Sequence, residues 1–243
     1  VRRQTKAKIK RARHLRPCPL RQTETPPAQY AALGIVPTMT RDLPCELVSQ
    51  EAVYELCWQL AQKICDSGFR PELLVAISRG GYVPARYLCD FLGISALTSI
   101  KVQHYAPGAE KQHRAWIKYP LSGRIEDQRV LLVDDVNDTG DTLIAALEHL
   151  RGFGARQIRT AVLHEKLTTG RRADYRVVEV RDWHWIIYPW AVFEDLGSFL
   201  ARMKPVPKAA DDAAQRLLKD YGIRMERRQL QRILDVLFRG ANR

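Results

Sequence analysis

A doubly wound α/β fold, with a mostly parallel sheet flanked by helices, is what the sequence predicts, and three observations carry it. Short apolar runs recur at 72–77 ("ELLVAI"), 129–135 ("RVLLVDD") and 157–165 ("QIRTAVLHE"), each with the length and β-branched content of a strand buried on both faces. Segments of helical periodicity separate them. Loops rich in Gly, Asp and Arg follow Ile77, Val133 and Leu163, and open α/β sheets bind ligands beyond the carboxyl ends of their strands.

The elements follow in order. Residues 1–40 read as a basic, disordered extension with Pro26-Pro27, Gly34 and Pro37. Ser49 is placed to cap a helix with Val53, Leu56, Cys57, Leu60 and Ile64 on one face and Gly68 as its stop. After the 72–77 strand comes the loop "SRGGYVP", a helix over "ARYLCDFLG", and a strand at 94–104. Residues 104–123 read as a polar segment. The 129–135 strand leads into a helix, "TLIAALEHLRGFG", and short strands are expected around Val177–Val180 and Trp185–Tyr188. Beyond residue 204 two helical patterns form a C-terminal extension, the second with Leu230, Ile233, Leu234 and Leu237 on one face. That stripe implies packing on the 41–203 domain or on a second subunit; Arg227, Arg228 and Arg232 leave nucleic acid as an alternative partner.

The net charge of +12 sits mainly at the two ends. A basic arm with no aromatic residue and no apolar periodicity reads as a solvated tail, although phosphate contacts are open to it. The chain starts at Val1, and residues 1–38 read as a non-native extension preceding Met39; peptides from that stretch in the natural protein would exclude this. No signal-like or membrane-spanning run is seen. Five cysteines without a C-x-x-C pair imply reduced thiols and a cytoplasmic protein.

The segment "VLLVDDVNDTGDTL" (130–143) carries the most chemistry. Asp134 and Asp135 close a buried strand, where carboxylates can accept from a ribose diol or bind Mg²⁺. Asp138, Thr139, Gly140, Asp141 and Thr142 then open a helix. Backbone N–H groups at that helix N-terminus, with the two threonine hydroxyls, can cradle a phosphate. In "AISRGGYVPA" (76–85), Arg79 supplies a permanent cation and Gly80-Gly81 let the backbone approach an anion. Lys166 offers three donors to a carbonyl acceptor, and Trp185 a ring on which a flat base can stack. Trp183 and Trp190 read as core.

These motifs resemble the type I phosphoribosyltransferases, in particular the bacterial and archaeal 6-oxopurine enzymes, over Ser49 to Met203. The resemblance implies that the chain transfers 5-phosphoribosyl from phosphoribosyl pyrophosphate (PRPP) to hypoxanthine, guanine or xanthine, with Mg²⁺ as cofactor and a homodimer as the assembly. It makes 138–142 the 5-phosphate loop, Asp134 and Asp135 the ribose and metal side, and Asp138 the acid/base near N7. Arg79 and Gly80 become the pyrophosphate loop, with the Arg79–Gly80 peptide expected cis. Lys166, Trp185 and the backbone at Ile186 and Ile187 frame the base. His104, Tyr105, Lys111, His113, Arg114 and Lys118 become a lid, and Lys101 a further phosphate contact. Two positions depart from the family pattern: Asn137, where an apolar residue is usual, and Ala191, where an acid follows "PW". The alternatives are a nucleotide-sensing regulator of the same fold that binds nucleic acid, and an enzyme for another base. Lys166 argues against adenine, whose 6-amino group is a donor.

Overall fold

The computed structural model describes residues 43–104 and 115–241. The basic arm and the lid residues Tyr105, Lys111, His113 and Arg114 lie outside the described residues. The strands are β1 (Cys45–Leu47), β2 (Leu73–Ser78), β3 (Leu97–His104), β4 (Ala115–Tyr119), β5 (Arg129–Asn137), β6 (Gln157–Lys166), β7 (Tyr175–Val180) and β8 (Trp185–Ile187). The helices are α1 (Gln50–Asp66), α2 (Tyr82–Leu92), α3 (Asp141–Arg151), α4 (Val192–Arg202), α5 (Ala210–Tyr221) and α6 (Arg227–Ala241).

The main sheet has the order β4-β3-β2-β5-β6-β7. Every neighbouring pair is parallel except β3 with β4. Side chains of a strand alternate between faces, so the apolar runs divide. Leu74, Ala76, Leu131, Val133, Ala161 and Leu163 join α1 and α2 in one core. Leu73, Val75, Ile77, Val130, Leu132 and Val162 meet Leu143, Ala146, Leu147 and Leu150 of α3 in the other. From β2 the chain winds through α2 to β3 on one side; from β5 it winds through α3 to β6 on the other. The reversal opens a crevice at the carboxyl ends of β2 and β5, and two of the three loops singled out from the sequence, those following β2 and β5, are there.

At the start of α1, Ser49 Oγ accepts from Ala52 N at 3.1 Å, and Gly68 takes the left-handed conformation (φ 76°) just past the end. The sequence reading missed two strands. β4 occupies the end of the segment read as a polar loop: Ala115 is buried and Ile117 packs on the second core, while Trp116 between them is exposed, so its five residues mask their alternation. β1 is three residues long, too short for any period, and pairs parallel with β8.

Ile187, α4, α5 and α6 build a third apolar cluster, in which Leu230, Ile233 and Leu234 are buried and Leu237 half-buried. The stripe of α6 is therefore covered by its own chain. No helix among the described residues is long and apolar enough to cross a membrane. Cys45, Cys57 and Cys89 are free thiols.

Candidate active site

β5 runs to Asn137, beyond the end at residue 135 expected from the sequence, so Asp134 and Asp135 are inside the strand. Asp134 is buried. Burial, then the neighbouring Asp135, raises its carboxyl well above the usual range, against the pull of Lys101. Burial also raises Asp135, although Trp190 Nε1 donates to its Oδ2 at 3.2 Å and Val136 N to its Oδ1 at 2.8 Å. Hydroxyl donors or a cation placed here would relieve that crowding.

The following loop is braced from behind. Gly140 adopts φ 95°, and a Cβ there would lie 2.7 Å from Arg171 N. Gly170 N donates to Thr139 O at 2.8 Å, and Thr139 Oγ1 donates to Asp141 Oδ2 at 2.9 Å. Asn137, the polar departure in this motif, has a structural reason: its Nδ2 donates to the buried Glu165 Oε2 at 3.0 Å and to Arg171 O at 2.7 Å. Ala173 N donates to the same Glu165 oxygen at 2.6 Å. Asn137 thus ties the phosphate-type loop to the 169–173 turn, a bond that an apolar residue cannot make.

Across the crevice, the Gly80-Gly81 turn presses against β5. A Cβ on Gly80 would lie 2.3 Å from Asp135 Oδ2, and one on Gly81 would lie 2.3 Å from Val133 O. The cis peptide of this loop is Ser78–Arg79, one residue earlier than expected. Arg79 is exposed and forms an ion pair with Glu194. Ala191 is the N-cap position of α4 and supplies no side-chain cap; the nearest acid, Glu194, sits in the first helical turn and turns to Arg79.

On the other flank, Lys166 ends β6 and is almost fully buried. Its Nζ donates to Asp138 Oδ2 at 2.7 Å. Trp183 was read as core, and the structure corrects this: it is 42% exposed, its Nε1 donates to Asp138 Oδ1 at 3.3 Å, and its ring centroid is 4.3 Å from Lys166 Nζ. Trp190, as expected, packs on the first core; it stacks on Tyr188 at 4.7 Å and also reaches the site through Asp135. Tyr188 donates to Asp135 O at 2.9 Å and meets His164 Nδ1 at 2.7 Å. Burial raises the Asp195 pKa, against a smaller lowering by the Trp185 side chain, and the Trp185 backbone N donates to Pro44 O at 2.8 Å. Ile186 is buried in β8 beside Glu46 of β1. Apolar-plus-tryptophan patterns read as core by default, which is why Trp183 escaped notice.

The 182–185 turn is fastened by charge. His184 Nε2 and Glu46 Oε2 are 2.8 Å apart. The bond to Glu46 raises the His184 pKa above its ordinary 6.5, although burial and Lys166 oppose it. Burial opposes an ionised Glu46, but the His184 bond and the His164 and His184 charges bring its pKa below the ordinary 4.5. The histidine's share of stability is complete below pH 6.5 and is lost as pH rises through its raised value. The glutamate's share is complete above pH 4.5 and is lost as pH falls through its lowered value. Urea unfolding is expected to show the pair's contribution, about 1 kcal/mol for a partly buried pair, at full strength between those limits. Glu46→Gln should remove that contribution there and make little difference at pH 9; equal losses at both pH values would refute the pairing.

Two loops at a topological switch point, one offering adjacent carboxylates and a helix N-terminus and the other an arginine, suit a ligand with a sugar diol between phosphates. The comparisons agree with that chemistry. The phosphoribosyl transferase domain family matches residues 46–193. A hypoxanthine-guanine phosphoribosyltransferase of Schizosaccharomyces pombe is 28% identical over 194 residues, 64% of this chain and 94% of that protein. A xanthine-guanine phosphoribosyltransferase of Cereibacter sphaeroides is 32% identical over 136 residues, 56% of this chain and 77% of its own length. A purine phosphoribosyltransferase from Pyrococcus horikoshii superposes with a TM-score of 0.54 at 32% identity, covering 61% of this chain and 94% of its own. A Neisseria gonorrhoeae protein solved with bound ppGpp gives a TM-score of 0.54 at 28% identity, covering 62% and 91%. With more than half of its length inside the family's domain and that domain's loops built as described, this chain belongs to the phosphoribosyltransferase family.

Proposed function

We propose that the protein transfers the 5-phosphoribosyl group of PRPP to a 6-oxopurine (hypoxanthine, guanine or xanthine) with release of pyrophosphate, a purine-salvage reaction. The observation that carries this reading is the Lys166–Asp138 pair. It sets a donor and an acceptor side by side at the end of β6 and the start of the phosphate loop, matching the O6 and N7 edge of such a base. The relatives named for hypoxanthine-guanine and xanthine-guanine transfer support it.

In this reading the loop Asp138–Thr142 holds the 5-phosphate through backbone N–H groups and the α3 N-terminus. Asp134 and Asp135 accept from the ribose hydroxyls. Arg79 and the Gly80 backbone meet the pyrophosphate, which requires Arg79 to leave Glu194. Trp185 and Ile186 line the base side, Lys166 donates to O6, and Asp138 takes up the N7 proton while N9 bonds to C1 and the C1–pyrophosphate bond breaks. The Asp134–Asp135 donor set is all oxygen and relieved by positive charge, which fits Mg²⁺. That ion commonly uses one or two carboxylates together with substrate phosphates, and it would neutralise charge on the leaving group. A homodimer, a cytoplasmic location and a 204–243 extension seated on a 41–203 catalytic domain complete the proposal.

The test is PRPP- and Mg²⁺-dependent pyrophosphate release with hypoxanthine, guanine, xanthine and adenine in parallel. Release with 6-oxopurines and not adenine is expected. Binding of nucleotide without release from any base, together with salt-sensitive nucleic-acid binding, would favour the regulator, a reading in keeping with the basic ends of the chain and the ppGpp-bound neighbour.

A further inference from the structure

The two groups assigned to the base are already engaged by a side chain that the proposed reaction does not use. Trp183 lies over the Lys166 ammonium, 4.3 Å from the ring centroid, and donates its indole N–H to Asp138 Oδ1 at 3.3 Å. Lys166 and Asp138 otherwise meet each other at 2.7 Å. A flat bicyclic ring with one N–H donor, set against a cation and a carboxylate, reproduces the size and part of the polarity of a purine. The ring is not wedged in the core, since Trp183 is 42% exposed. Its neighbour His184 is fixed to Glu46, so the backbone beside it stays in place while the side chain can rotate about its own bonds.

We infer that Trp183 is a built-in occupant of the base subsite, which an incoming base must displace, and that it thereby sets base affinity and selectivity; the inference rests on the reading of Lys166 and Asp138 as the O6 and N7 contacts. A 6-oxopurine can replace both of the contacts it removes, with O6 toward Lys166 and N7 toward Asp138. A 6-aminopurine presents a donor to the ammonium and cannot compensate, so the occupied state penalises it. Where the competent state is only a fraction of the ensemble, apparent affinity falls by that fraction.

Steady-state kinetics of Trp183→Ala and Trp183→Phe, with wild type alongside, test this. Removing a cation–π contact and one hydrogen bond from the competing state should lower the KM for hypoxanthine about fivefold in Trp183→Ala, a larger change than any in kcat, and narrow the preference over adenine. Trp183→Phe keeps the ring and loses the N–H, so it should fall between. Acrylamide quenching gives a second readout. The difference in quenching between wild type and Trp183→Phe should grow when inosine monophosphate is added, because displacement exposes the indole. A KM for hypoxanthine that is unchanged or raised in Trp183→Ala, in an otherwise active enzyme, overturns the displacement and makes Trp183 a wall of the pocket. A wild type that turns over none of the purines overturns the reading of the site beneath it.

Discussion

Gly80→Ala is expected to cut kcat/KM for PRPP by about 100-fold while the protein still folds. An added Cβ would lie 2.3 Å from Oδ2 and 2.5 Å from Cγ and Oδ1 of Asp135. That carboxylate cannot step aside freely, because Trp190 Nε1 and Val136 N both hold it. Either Asp135 turns away from the crevice or the loop carrying Arg79 lifts, and a displacement of about 1 Å at a reacting group costs on the order of 100-fold. The neighbouring glycine separates activity from folding. A Cβ on Gly81 would lie 2.3 Å from Val133 O, 2.8 Å from Ile77 O and 2.9 Å from Ile77 N, all backbone of the two central strands. Gly81→Ala should therefore destabilise the fold by about 3 kcal/mol, read as a lower midpoint in urea. Wild-type PRPP kinetics in Gly80→Ala would mean that Asp135 does not face the substrate.

The framework was legible because its signals are repeated and local. Continuous apolar runs are what strands buried on both faces must be, and the two sheet faces divide them residue by residue, as at Leu73 and Leu74. The acidic pair and the loop ending in Thr142 were equally plain, since few arrangements put two carboxylates at a buried strand end before a helix N-terminus. Other features depend on contacts distant in sequence, which no window of residues contains. Asn137 reads as an oddity until Glu165 and Arg171 are found beside it. Glu46 and His184 are 138 positions apart, and Glu194 finds Arg79 across 115. Trp190 does pack on the core, as its apolar surroundings imply, and also turns its indole N–H to Asp135. Trp183, whose surroundings imply the same, is exposed and donates to Asp138 instead; only the fold shows where an N–H points. β1 and β4 were missed for a simpler reason, being too short or too mixed to show a period.

Asp138→Asn should lower kcat by a factor of about 100 to 10,000, the usual contribution of a positioned acid or base, with PRPP affinity measured by calorimetry little changed. The substitution keeps shape, so the phosphate loop, held by Thr139, Gly140 and the turn at Gly170, should persist. What it removes is the capacity to take up a proton and the negative charge beside a nearly buried ammonium. The second loss alone would weaken the seating of Lys166 and raise the KM for the base, because a buried cation facing a neutral amide has lost part of its compensation. The two effects are separable through Lys166→Met, which removes the cation and leaves the carboxylate. If Asp138 carries the N7 proton, Asp138→Asn acts chiefly on kcat and Lys166→Met chiefly on the KM for the base. If Asp138 serves only to hold Lys166, both variants raise KM alike and kcat in Asp138→Asn stays within about threefold of wild type, a difference of under 1 kcal/mol in the barrier, and the acid/base role is lost.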